Sequence, residues 1–150
     1  MISLKKADFS DIEFLWYLRN QPDVYKFSKE KRRITWPEHI YWIIPVILGI
    51  TEKELFIVKK GLLPVGQIRF DFNDKGKAVV SISLLKEFRS KGIGNESFEK
   101  AIKLLKKTKK PKIVLAEIHK DNIPSIKLFE KLNFQFKEKK GVWLKYILEL

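Results

Sequence analysis

Hydrophobic and polar positions change period several times along the chain, and each change predicts an element. Ile2-Ser-Leu-Lys-Lys-Ala alternates in the manner of a short strand, the first of a sheet. From Asp11 the spacing turns helical: Ile12, Leu15, Trp16 and Leu18 share a face, Asp8 or Ser10 is placed to cap it, and Pro22 stops it. Residues 21–34 read as a polar, basic loop carrying Tyr25, Phe27, Arg32 and Arg33. Thr35-Trp-Pro-Glu38 has the form of a capping box with a proline in the first turn, so a second helix starts there. It carries His39, Trp42, Ile43, Val46 and Ile47, and Pro45 ends or kinks it, because an interior proline removes one ladder bond and crowds the preceding turn.

Strand patterns at 54–60 and 63–72 flank a turn around Gly61, and Asn73-Asp-Lys-Gly76 predicts the next hairpin turn. The strand at 77–85 follows, rich in β-branched and small residues, and breaks into Phe88-Arg-Ser-Lys-Gly-Ile-Gly94 before a helix over 92–107. Lys112–Ile118 is then a strand lying parallel beside 79–85, because the helix between them returns the chain to the same end of the sheet. A helix over 123–132 and a closing hairpin, 134–139 with 142–149 around Gly141, complete the pattern. The result is an α/β fold, an antiparallel meander followed by a parallel crossover. Its 150 residues and 45% hydrophobic content suit one core, hence a single domain over 1–150.

Composition removes several functions. There is no cysteine, hence no disulfide framework, thiolate nucleophile or Cys-based metal site, and His39 and His119 have no ligand-like spacing to a carboxylate. No metal is expected. The longest apolar run, Trp42–Ile50, contains Pro45 and falls well short of the roughly 20 residues of a membrane span. With no leader-like segment ahead of the first strand, a cytoplasmic protein is expected. The formal charge of +13 comes almost wholly from lysine, densest from Lys103 to Lys112. That cluster closes a helix, where cations oppose the negative end of the dipole, so nucleic acid is an unlikely partner while the general field still attracts anionic ligands.

The turn at 88–94 carries the chemistry. A strand passing through glycines into a helix presents unpaired N–H groups and the positive end of the helix dipole, with Arg89 and Lys91 beside them, a setting for a phosphate. Arg89-Ser-Lys-Gly-Ile-Gly94 resembles the Arg/Gln-x-x-Gly-x-Gly/Ala signature of the GNAT superfamily of acyl-CoA-dependent N-acyltransferases. Asn122-Ile-Pro-Ser125-Ile-Lys-Leu-Phe129-Glu-Lys-Leu-Asn133-Phe134 resembles that superfamily's second cofactor segment, with Phe129 at the usual Tyr and Asn133 at the usual Gly.

The resemblance implies a mixed six- to seven-stranded sheet flanked by about four helices, its central parallel strands splayed around acetyl-CoA. It implies cofactor contacts at Ile82, Ser83, Leu84, Arg89, Ser90, Lys91, Gly92, Ile93, Gly94, Asn95, Asn122, Ser125 and Phe129, with the pantetheine arm on the 82–84 backbone and the pyrophosphate on the amides of 90–95. A Cβ at 92 or 94 is expected to intrude on the phosphate. Transfer to an amine requires a base, a donor for the thioester carbonyl and a proton for the thiolate. Glu117 is the candidate base, with Ser81, Ser83 and His119 as competitors. The Leu84 N–H is the carbonyl donor, and Asn122 orders the loop and bonds the pantetheine arm. Phe129 cannot donate a proton, which leaves Ser125, water or the substrate ammonium, or else a non-catalytic acyl-CoA-binding protein.

The N-terminal segment Leu18–Val24 with Trp36, Glu38, His39 and Trp42 resembles the region of GNAT enzymes that acetylate nucleotide-linked amino sugars in pseudaminic-acid-type glycan assembly. Protein N-terminal acetyltransferases share part of it. Substrate contacts are accordingly expected from Arg19, Asn20, Tyr25, Trp36, His39 and Arg69. Arg32, Arg33 and Trp42 are alternatives, and the tryptophans also read as helix-packing core. A homodimer is left open.

Overall fold

The computed structural model describes residues 1–73 and 75–150; Asp74, part of the turn expected at 73–76, lies outside the described residues. β1 (Ile2–Lys6), β2 (Lys53–Lys60), β3 (Leu63–Phe72) and β4 (Lys77–Leu84) pair antiparallel in sequence order. After α4 (Ile93–Thr108), β5 (Ile113–His119) returns parallel to β4. After α5 (Ile123–Lys131), β6 (Gln135–Lys140) and β7 (Trp143–Glu149) form the closing hairpin, and β7 inserts beside β5. The seven-stranded order is β1-β2-β3-β4-β5-β7-β6. The expected α/β architecture is present.

Between β1 and β2 lie α1 (Ile12–Arg19), α2 (Pro22–Tyr25) and α3 (Trp36–Ile47). α2 makes five helices where about four were expected. Pro22 does not stop α1, which already ends at Arg19; it occupies the first turn of α2, where its missing N–H costs nothing. The capping box of α3 forms as read, with the Glu38 amide donating to Thr35 Oγ1 at 3.3 Å and the Thr35 amide to Glu38 Oε1 at 3.0 Å. A bidentate Arg32 holds the same Glu38 carboxylate, and these bonds to its charged form lower its pKa to about 2. Pro45 sits in the last turn of α3, which ends at Ile47.

The sheet is covered on both faces. On one, α4 and α5 pack over Phe56, Val58, Ile68, Phe70, Val80 and Val114, with edge-on or tilted contacts linking Phe70, Phe98, Phe134 and Phe129. On the other, α1 and α3 cover Leu55 and Ile57 with Leu15, Ile43 and Val46. Each fully buried aliphatic side chain contributes roughly 1.5–3 kcal/mol, so the larger cluster under α4 dominates. The second cluster ends near the middle of the sheet. Beyond it β4 is buried on only one face, and Ser81 and Ser83 stand half-exposed on the other.

Candidate functional site

β4 and β5 pair only at Lys77↔Ile113, Ala78↔Val114 and Val79↔Leu115. Past that point both strands continue, but with other partners: β4 stays zipped to β3 as far as Leu84↔Gly66, and β5 to β7 as far as His119↔Trp143. The sheet therefore splits between its two central parallel strands. Leu85 N–H bonds to Val65 O at 2.9 Å, and antiparallel alternation turns the N–H and C=O groups of Ile82 and Leu84 away from β3, toward the gap. Buried backbone polar groups require partners, and an extended amide-bearing ligand supplies them as an added strand would.

Arg89 closes the end of β4. Its Nε and Nη2 donate to Leu84 O at 3.1 and 2.9 Å, and Nη1 lies 2.5 Å from the Asp23 carboxylate of α2. This corrects the expected pyrophosphate role of the side chain: the guanidinium is spent on the protein, and it holds the Leu84–Leu85 peptide by satisfying the Leu84 carbonyl. The groups left open at this turn are instead backbone. Ser90 and Gly92 both have positive φ (60° and 78°), Gly92 precedes α4 with no side-chain cap, and a Cβ built on Gly92 meets nothing within 4 Å. The first amides of a sixteen-residue helix thus face an open cradle beside exposed Lys91. Gly94 departs from expectation. A Cβ there points at Leu128 Cδ2, 3.0 Å away, so this glycine admits α5 against α4 rather than phosphate. Ile93 is likewise a core side chain, leaving its backbone alone for the cradle, and Asn95 is half-buried.

A cavity of about 550 Å³ runs from beneath α1 and α3 to the gap. Ser81, Ser83, Glu117, His119, Asn122, Ser125 and Phe129 all line it, so the fold brings the residues expected for catalysis and cofactor contact to one place. Glu117 and His119 are strand residues on the same face as Ser81 and Ser83. The Glu117 carboxylate lies 3.2 Å from Lys29 Nζ. His119 is buried, with Nδ1 accepting from the Asp121 amide at 3.1 Å and Nε2 3.2 Å from Lys31 Nζ. Asn122 Oδ1 caps α5 through the Ser125 amide at 3.3 Å. Phe129 packs into the core against Phe134 and presents only carbon to the cavity.

Sequence reasoning missed Gln67. It lines the cavity opposite Ser83, its Nε2 within 3.4 Å of Ser81 Oγ and 3.3 Å of Ser83 Oγ, and its Oε1 is buried without a partner among the described residues. The signal was present: Gln67, Arg69 and Asp71 alternate with Ile68 and Phe70, which marks a polar stripe on one face of β3.

The expected substrate residues divide. Arg19 lines the cavity but donates to the carbonyls of Arg32 and Glu30 at 3.1 and 3.2 Å. Arg69 lines it with its guanidinium 5.2 Å from the Trp42 ring centroid and its Nε on Asp71 at 2.9 Å. Three are corrected. Asn20 is buried and clamps Ile34, accepting from its amide at 2.8 Å and donating to its carbonyl at 3.1 Å. Trp36 packs edge-on against Trp16 in a shallow depression on the outer side of α1, away from the cavity. Tyr25 does not line the cavity, whereas its neighbours Val24 and Phe27 do. His39 reaches the cavity wall, but its Nε2 is held by Ile12 O at 2.9 Å, which makes it a tie between α3 and α1; burial pushes its pKa below the usual 6.5.

Among the described residues no group of acidic, histidine or cysteine side chains is placed to hold a metal, and no helix is long and apolar enough to cross a membrane. The structure thus combines a split between its central parallel strands, an open, uncapped helix start at Gly92 and a flanking polar cavity. Comparison with known proteins makes this specific. Residues 16–134 match the model of the acetyltransferase (GNAT) family, and the chain belongs to that family. It is 32% identical over 156 residues to an uncharacterised protein of Methanocaldococcus jannaschii, covering 99% of this chain and 31% of that one. It is 40% identical over 57 residues to an N-alpha-acetyltransferase of Saccharolobus solfataricus, covering 38% of this chain and 34% of that one. The chain thus spans about a third of the length of the curated relatives it matches. In fold it is similar to the spermidine N-acetyltransferase of Vibrio cholerae, solved with CoA and spermine (TM-score 0.86, 12% identity, 99% and 95% of the two chains).

Proposed function

We propose that this chain transfers the acetyl group of acetyl-CoA to the primary amine of a nucleotide-linked amino sugar, by direct attack with both substrates bound. The observation that carries acyl transfer is the split between β4 and β5, with the Ile82 N–H and C=O and the Leu84 N–H facing the gap on one side and the Gly92 turn at its end. The thioester supplies the activated acetyl carbon. The Leu84 N–H, next to the Leu84–Leu85 peptide whose carbonyl Arg89 holds, donates to the thioester carbonyl oxygen, and amides of 90–95 with Lys91 hold the pyrophosphate. Glu117 takes a proton from the incoming ammonium, and Ser83, backed by Gln67, lies on the same wall.

The cavity's volume suits a small-molecule acceptor. Trp42 under the Arg69 guanidinium offers a flat surface for a base or sugar, and the net charge of +13 favours an anionic acceptor. The resemblance of Leu18–Val24 to sugar-nucleotide acetyltransferases supports the same choice. A second reading, acetylation of a protein N-terminal amine, is favoured by the 57-residue match to an N-alpha-acetyltransferase. Mass spectrometry of parallel reactions offered UDP-amino sugars or basic N-terminal peptides separates them. Acetylated sugar nucleotide is the expected product; acetylation of the peptides alone overturns the proposal.

A further inference from the structure

The segment over 26–34 crosses the mouth of the cavity, and two of its lysines reach the two β5 side chains that could accept a proton. Lys29 Nζ lies 3.2 Å from Glu117 Oε2 and Lys31 Nζ 3.2 Å from His119 Nε2. The segment is pinned in that position. Ser28 Oγ bonds to the carbonyls of Tyr25 and Glu30, Arg19 holds the carbonyls of Glu30 and Arg32, and the Phe27 ring packs 5.6 Å from His119. Ser28 and Glu30, on either side of Lys29, both line the cavity.

Glu117 has a potential partner within the sheet, Lys145, directly opposite on β7. Lys145 instead pairs with Glu138 at 3.2 Å, which leaves the Glu117 carboxylate to Lys29. The Lys29 ammonium is steadied further by the Trp143 ring, 5.7 Å away. A primary amine of this chain therefore lies at the solvent-exposed rim of the cavity, beside the cavity-lining carboxylate proposed to deprotonate the acceptor. Tethering removes the entropy cost of bringing an acceptor to that position.

We infer that Lys29 is an internal acceptor: the chain acetylates its own Lys29 ε-amine. The inference rests on the acetyl-transfer reading with Glu117 as base. Glu117 takes one proton from the Lys29 ammonium, and the amine nitrogen bonds to the thioester carbonyl carbon. The carbon–sulfur bond then breaks, and the second proton leaves nitrogen for the departing thiolate, giving an amide and coenzyme A with no change of oxidation state. The product has no positive charge, so the Lys29–Glu117 pair is lost, and once Glu117 passes its proton to water the carboxylate is available for an external amine.

The test incubates purified protein with acetyl-CoA alone and maps acetylated peptides over time. One acetyl group is expected on Lys29, at a rate independent of protein concentration, absent in Lys29→Arg and slowed about a hundredfold in Glu117→Gln. Coenzyme A must still raise the melting temperature of both variants, which shows that they fold and bind. Modification spread evenly over Lys29 and the exposed lysines of α4 (Lys103, Lys106, Lys107), unaffected by Glu117→Gln, is chemical acylation and overturns the inference. So does a rate that scales with protein concentration. Turnover of an added amine with Lys29 unmodified removes self-acetylation alone, whereas no melting shift and no acetylated amine of any kind removes the transferase reading beneath it.

Discussion

Gly66 tests whether the end of β4 must be held in register for the site to work. A Cβ at this position lies 2.4 Å from Ser83 O and 2.5 Å from Leu84 Cδ2, where ordinary contact begins at 3.4 Å. The shortfall is about 1 Å, and one of the blocking atoms is backbone in a strand paired along its length to β3. A flexible side chain could swing aside; a laddered carbonyl cannot without straining its neighbours. Gly66→Ala is therefore expected to cost about 1–3 kcal/mol of stability, the usual range for overpacking. It also displaces the Ser83–Leu84 peptides that aim the carbonyl donor, and a misplacement of about 1 Å at a reacting group can cost roughly a hundredfold in rate. Urea denaturation measures the first effect, and kcat/KM for acetyl-CoA with a saturating amine the second. Gly61→Ala is the control, because its Cβ enters open space far from the cavity: with its φ of 62° it loses stability but not kcat/KM. A Gly66→Ala protein with wild-type stability and wild-type kcat/KM would refute the reasoning.

Further outcomes follow from the same geometry. Gly92→Ala places a side chain in a left-handed conformation at a strain of about 1–2 kcal/mol and a methyl group in the phosphate cradle, so coenzyme A affinity by calorimetry falls while the core stays intact; unchanged affinity contradicts the cradle. Arg89→Ala removes two bonds to Leu84 O and the tie to Asp23, and is expected to destabilise by about 1.5–3 kcal/mol and to lower kcat more than it raises KM for acetyl-CoA; a pure KM effect would restore the pyrophosphate role to this side chain. Phe129→Tyr adds a hydroxyl to a cavity-lining ring, and a higher kcat is the expected result; a fall or no change in kcat shows that thiolate protonation does not limit this site. His39 has a folded pKa below the ordinary 6.5, so the unfolded chain takes up the proton first. Stability is therefore full above about pH 6.5 and declines as pH drops below it toward the folded value, and a melting temperature that rises over that interval would show His39 charged in the fold.

Much of this protein was legible in one dimension because its signals are local. Period-two and period-3.6 patterns located the strands and four of the helices, the Thr35–Glu38 capping box fixed the start of α3, and the run from Val79 to Gly94 announced a strand feeding a helix through a glycine turn. Backbone geometry travels with sequence when one glycine and one helix start make it, which is why the strand-to-helix turn at Gly92 was legible. What each side chain does with its polar atoms was not legible, since its partners lie far along the chain. Arg89 looks like a phosphate ligand until Leu84 O and Asp23 claim its guanidinium, and Asn20 looks like a substrate contact until Ile34 uses both ends of its amide. Gly94 needs no side chain for the sake of Leu128 on another helix, and Gln67 enters the site because β3 lies opposite Ser83. Local sequence dictated which elements form and where the backbone is left bare. Only the folded chain, through packing and the requirement that buried polar groups find partners, decided which charged groups remained free to meet a ligand.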